Sequence, residues 1–320
     1  MRRTCRALPS SEARRAWAYA GSAALVLSAA CAPQNGIVGA EPPPDGGASS
    51  AGGSGSLQTP TYRTEFDLAD GWQTQNKIAG SSIQFGVADS NTDAAELRFP
   101  GHPDFSANDK ASATEATEIE SPRQFGFGVY RARVTFGACQ PNEEVVSAAL
   151  GFLSDGTDAN QNGLTDDEEI DLQVICGARQ RLYLTVFTDY EASSGEFRKL
   201  SRLIDFGTGE VFDTKAPDDD TFVKAPPVAA WVRPELFGTD TFYVVGYEWH
   251  ASSLRFFLEL DGREQTLWTL SDAERVPQRP VTFLFNLWHP DTHWYPASGG
   301  AAYPAQDVVM HVDWFEYSAE

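Results

Sequence analysis

From residue 61 onward the chain is a succession of short runs rich in Val, Phe, Tyr, Thr and Leu, broken by Gly, Pro, Asp and Ser, with no long helical periodicity. This pattern constrains the fold more than any other feature, because such runs bounded by turn residues read as antiparallel strands. The strongest runs are 128–136, 147–153, 169–175, 181–188, 241–249, 254–260, 281–288 and 308–317. Residues 243–261 read as a hairpin around His250-Ala251-Ser252-Ser253, closed by Asp261-Gly262. Helix is expected only in short pieces such as 271–275. The expectation is an all-β fold, an antiparallel β-sandwich of the jelly-roll kind, with 61–320 as one domain.

The first 60 residues read differently. A basic start precedes an apolar run, 16–30, that is too short and too rich in alanine for a stable membrane span and reads as a signal peptide. It ends Leu27-Ser28-Ala29-Ala30-Cys31, which resembles a bacterial lipobox, although Ser28 stands where a large apolar residue is usual. Cys31 is the expected lipidation site; the alternative is ordinary cleavage nearby. Residues 31–60 are Gly, Ser, Ala and Pro with almost no large apolar side chain, so they form a flexible tether. The expected location is outside the cytoplasm, lipid-anchored to the bacterial envelope or secreted.

Net charge is −21, and residues 1–30 hold five arginines against one acid, so the remainder carries −25. Such a surface repels phosphate backbones and anionic lipids. No nucleic acid is expected as a partner, a membrane is expected only through the lipid anchor, and a neutral or cationic ligand fits better. Acidity for solubility alone is the simpler alternative. With Cys5 in the signal and Cys31 lipidated, Cys139 and Cys176 remain and are expected to pair, as thiols of exported domains do.

Glu169-Ile170-Asp171-Leu172-Gln173-Val174 is the most informative segment. On a strand Glu169, Asp171 and Gln173 share one face and Ile170, Leu172 and Val174 the other. Acids are poor strand formers, so two in an otherwise apolar run point to a site, against the alternative of a solvated face. The motif resembles the Glu-x-Asp-x-Glu, or bulged Glu-x-Asp-x-x-Glu, of glycoside hydrolase family 16, whose fold is a concanavalin A-like jelly roll. The resemblance continues in order through residues 120–133 around Phe125-Gly126-Phe127-Gly128, Tyr247-Glu248-Trp249, Phe285-Asn286-Leu287-Trp288 and Val312-Asp313-Trp314-Phe315. It implies Glu169 as nucleophile and Asp171 as the residue that orients it. The acid/base position falls on Gln173 without a bulge, or on Val174 with one, and neither is a carboxylic acid.

Upstream, residues 158–169 place oxygen ligands at Asp158, Asn160, Asn162, Asp166 and position 12, with Gly163 sixth, in the pattern of an EF-hand-like calcium loop. The expected Ca²⁺ ligands are Asp158, Asn160, Asn162, the Leu164 carbonyl, Asp166 and Glu168 or Glu169; a polar turn is the alternative. Position 12 is Glu169 itself, and a carboxylate bound to calcium cannot attack a sugar. Asn286, Trp288, His289, Trp294 and Tyr295 are the expected substrate-binding residues, since sugars need flat aromatic faces and a few polar groups. Trp249 and Trp314 read as core. Three functions stay open: a binder of β-linked, glucan-like polysaccharide, a retaining endo-β-glycosidase or transglycosylase using Glu169, and a structural envelope sandwich.

Overall fold

The computed structural model describes residues 61–320 except 77, 90–91, 103–115, 155, 159–160, 162–165, 189–197, 216–220, 229–230, 234–235, 239–240, 291 and 298. The expected signal peptide, the expected lipidation site Cys31 and the expected tether lie outside the described residues.

The strands in chain order are β1 (Tyr62–Thr64), β2 (Gln73–Asn76), β3 (Ser82–Asp89), β4 (Thr92–Phe99), β5 (Ala116–Phe125), β6 (Gly128–Val134), β7 (Val146–Ser154), β8 (Asp167–Ile175) and β9 (Arg181–Thr188). They continue with β10 (Arg198–Asp205), β11 (Glu210–Thr214), β12 (Phe222–Ala225), β13 (Tyr243–His250), β14 (Ser253–Leu260), β15 (Arg263–Leu270), β16 (Val281–Trp288) and β17 (Val308–Ala319). Helical structure among the described residues is limited to single turns such as Ala273–Arg275, within the expected 271–275. One sheet runs β15-β14-β13-β6-β17-β4-β3 with β1 beside β17, and the other runs β12-β11-β10-β9-β8-β7-β16-β5-β2. Their pairings are antiparallel throughout, for example β7 with β8 and β6 with β17. The chain is therefore an all-β antiparallel sandwich.

Alternation in the strands builds its core. Ile170, Leu172 and Val174 of β8 meet Tyr130, Val245, Tyr247 and Phe315 of the eight-stranded sheet in one buried cluster. Trp249 is fully buried there, its indole N–H donating to the Pro277 carbonyl at 2.8 Å. Trp314, expected in the core, lies instead on the outward face of β17 beneath the Arg63 guanidinium, 4.7 Å from the ring centroid. The register between β17 and β6 shifts at Asp313, and this irregularity turns Trp314 outward while Phe315 stays buried.

Two short turns carry the β13–β14–β15 meander. His250 faces Ser253 across Ala251-Ser252, and Leu260 faces Arg263 across Asp261-Gly262. Asp261 and Gly262 have φ of 53° and 69°, the left-handed pair that matches hairpin twist. Pro122 sits within β5 where the register with β16 shifts, and the Ser121 hydroxyl accepts the Phe283 N–H at 2.9 Å. A proline is tolerated in a sheet at such an irregularity, because the ladder bond it cannot make is already interrupted.

Candidate functional site

β8 lies inside the nine-stranded sheet, between β7 and β9, and pairs residue for residue with both. The bulged alternative is thereby removed. Val174 is fully buried in the intersheet core, and Gln173 shares the outer face with Glu169 and Asp171. The three outer side chains are each only 2% exposed. A second apolar cluster surrounds them on this face, built from Ala148 and Leu150 of β7, Tyr183 of β9, Leu203 of β10 and Leu284 and Trp288 of β16.

Glu169 and Asp171 are hydrogen-bonded to each other. Burial first, and then the Asp171 charge, hold Glu169 well above the usual carboxylate range. Burial pushes Asp171 up to about 7, opposed by the hydrogen bond from Glu169 and by the charge of Lys199. One carboxyl of the pair thus keeps its proton near neutral pH. Glu169 Oε1 and Asp171 Oδ1 are buried without a hydrogen-bond partner. Glu118 and Glu120 of β5 stand in the rows of Gln173 and Asp171, three strands away and so about 14 Å at the Cα level.

Glu168, next in the chain, faces the opposite way. Its Oε2 accepts the Gln278 N–H at 2.7 Å, and burial pushes its pKa up to about 8 against that bond and Arg279. Of the calcium-loop candidates, Asn160, Asn162 and Leu164 lie outside the described residues. Asp158 is exposed and Asp166 buried. The loop is drawn closed at its base, where the Asp166 N–H donates to the Thr157 carbonyl at 2.8 Å. The twelfth position does not suit a calcium ligand, since Glu168 and Glu169 point to opposite faces and hold other partners. Among the described residues no group of three or more acidic, His or Cys side chains is gathered as a metal centre.

The expected sugar-binding residues are together but turned on one another. Asn286 donates to Glu118 at 3.1 Å, and Trp288 is 3% exposed with its indole nitrogen unpartnered. His289 is buried, its Nδ1 2.6 Å from the Glu144 carbonyl and its ring against Tyr303. Trp294 packs edge-on to Tyr183 at 5.0 Å and tilted to Trp288 at 5.7 Å. Tyr295 stacks on Phe222 at 4.7 Å and remains 37% exposed.

Several residues of this region carried no sequence signal as site residues. Glu144 precedes β7, is 7% exposed, and lies 2.5 Å from His293 Nδ1. Burial raises its pKa, against His293, the Trp294 N–H and Arg181. Tyr183 and Lys199 were legible only in principle, as odd-numbered partners of the acid face. A disulfide joins Cys139 to Cys176 just past β8, with the Cα atoms 5.2 Å apart. Gly177 follows because a Cβ there would lie 2.3 Å from the Glu143 carbonyl oxygen.

No family model matches the chain, and no curated protein matches it. Among solved structures, Bacillus licheniformis β-glucanase is similar at 14% identity and TM-score 0.48, over 82% of this chain and 100% of that one. LamAcat from Zobellia galactanivorans is similar at 15% identity and TM-score 0.48, over 81% and 97%. The Crh5 transglycosylase in complex with NAG is similar at 16% identity and TM-score 0.47, over 81% and 83%. At these scores the likenesses bear on neither ligand nor chemistry.

Proposed function

We propose that this is a polysaccharide-binding protein of the glycoside hydrolase family 16 type, which takes β-linked, glucan-like chains on the outer face of the nine-stranded sheet and hydrolyses them very slowly. Held by the Cys31 lipid and the tether, it would act at the cell envelope. The supporting observation is the unbulged β8, which leaves the amide Gln173 on one face with Glu169 and Asp171; the resemblance to the family implies a carboxylic acid at that position. A neutral amide cannot protonate a leaving glycosidic oxygen, and that help is typically worth about 10²- to 10⁴-fold. Glu118 and Glu120 lie on β5, three strands from β8, whereas the two carboxyls of a retaining enzyme stand roughly 5–5.5 Å apart.

The test is Gln173→Glu. The wild type should be retained on a β-glucan affinity gel yet leave the glucan nearly untouched. An aryl β-glycoside, whose leaving group needs no proton, should still label Glu169. The variant should cleave natural glucan faster, by up to about 10²- to 10⁴-fold. Brisk wild-type hydrolysis would place an acid elsewhere and favour the retaining-enzyme reading. Absence of both retention and labelling would leave the structural sandwich.

A further inference from the structure

The described residues among 292–300, all but 298, form a small hairpin of their own. Thr292 bridges Gly300, the His293 N–H donates to the Gly299 carbonyl at 2.9 Å, and the Ala297 N–H to the Trp294 carbonyl at 3.1 Å. The hairpin rises from the end of β16 and lies across β9, β11 and β12. There the Tyr183 hydroxyl donates to the Tyr295 carbonyl at 2.6 Å, and Tyr295 packs on Phe212 and Phe222. It thereby helps to cover Tyr183 and Trp288, on the same face as the acid pair.

Base and tip are held differently. The base is fixed by backbone bonds to the disulfide-closed segment, from Glu144 N–H to the Ala302 carbonyl at 3.1 Å and from Ala302 N–H to the Asn142 carbonyl at 3.3 Å. The Glu143 carboxylate also accepts the Ala305 N–H at 3.1 Å. Beyond its base the hairpin is held by aromatic contacts, by the Tyr183 hydroxyl on the Tyr295 carbonyl, and by Glu144, which accepts the Trp294 N–H and meets His293 Nδ1 through Oε1; the His293 contact is the side-chain pair among these. The aromatic faces a sugar would use are here used on one another.

We infer that the 292–300 hairpin is an autoinhibitory lid over the outer face of the nine-stranded sheet, latched by His293 on Glu144, and that a glycan must displace it to bind. The inference rests on the polysaccharide-binding reading above. A ligand that needs the open form has an apparent Kd equal to its intrinsic value divided by the open fraction. Loosening the latch should therefore tighten glycan binding in the same proportion as it opens the lid, which is unusual for removing a native contact.

The experiment compares the purified wild type with His293→Ala and with the isosteric Glu144→Gln, which can still accept the Trp294 N–H. Hydroxyl-radical footprinting reads the exposure of Trp288 without ligand, affinity electrophoresis on laminarin and lichenan reads binding, and circular dichroism checks that each variant is folded. Loss of a charge-assisted contact predicts an open fraction and an affinity both raised about ten-fold in His293→Ala, and less in Glu144→Gln. Unchanged Trp288 oxidation in both folded variants overturns the latch. Raised oxidation without tighter binding, in a protein whose wild type binds, overturns autoinhibition. If no form binds either glucan, the binding reading fails and the inference with it, and the footprint shows which of the two claims was at fault.

Discussion

Replacing Asp171 by Asn should make stability less dependent on pH, in a direction opposite to that of most carboxylates. Burial pushes Asp171 from the ordinary 3.8 up to about 7, and Glu169 is raised as well. A carboxyl whose folded pKa is raised holds its proton more tightly when folded. Its contribution is complete below the unfolded value and is lost as pH rises through the folded one. For Asp171 the window is 3.8 to about 7, and at about 1.36 kcal/mol per pH unit the loss across it is about 4 kcal/mol. Asp171→Asn keeps the shape, abolishes this titration and removes the charge that helps hold Glu169 up, so the change at Glu169 acts in the same direction. The stability difference should move in favour of the variant by about 4 kcal/mol between about pH 4 and about pH 8. In a domain of this size that corresponds to roughly 10 °C in Tm. Urea unfolding followed by tryptophan fluorescence at several pH values measures it directly. If wild type and variant lose stability in parallel across that range, the buried pair does not share a proton and the account of its electrostatics is wrong.

The remaining predictions concern the parts around the acid pair. We propose that loop 158–166 binds Ca²⁺, so the calcium-loaded protein should melt higher than the same protein after excess EDTA; an unmoved melting curve would make the loop a polar turn. Cys139 and Cys176 are separated by 37 positions, and breaking the bridge by Cys139→Ala should cost about 4 kcal/mol through the freedom it returns to the unfolded chain. A loss under about 1 kcal/mol in denaturant unfolding would show that the backbone bonds around Val145 and Ala302 hold this corner without it.

Much of the strand order was legible because the strongest runs are interior strands, β8, β9 and β16 buried almost throughout and β6 and β17 alternating, and each of the eight runs became β6, β7, β8, β9, β13, β14, β16 or β17 within a few residues. The weaker strands were not legible for a physical reason. β12 is only Phe222–Ala225 at an edge, β10 begins with Arg and Lys, and β15 presents Arg263 and Glu264 to solvent, so their pairing comes from neighbours and not from their own pattern. At the candidate site, the common face of Glu169, Asp171 and Gln173 followed from alternation alone. The choice between Gln173 and Val174 required the register on both sides of β8. The covering of Trp288 depends on Tyr183 meeting Tyr295 from 112 positions away, a contact with no local trace in either segment. Trp294 and Tyr295 read as ligand surfaces because an aromatic pair in a Pro/Gly-rich loop looks the same whether it awaits a sugar or packs on a sheet.

The position of β17 also governs the order in which the molecule can be assembled. It lies between β6 and β4, so residues 308–319 are the seam joining the two halves of the eight-stranded sheet, and β16 does the same between β7 and β5. Neither layer can close until these two late strands have arrived, because their pairings reach back to strands more than a hundred positions earlier. Such non-local closure is slow and leaves strand edges unpaired in the meantime. A chain cut before residue 281 would thus leave both sheets split into halves, however well its earlier strands pair.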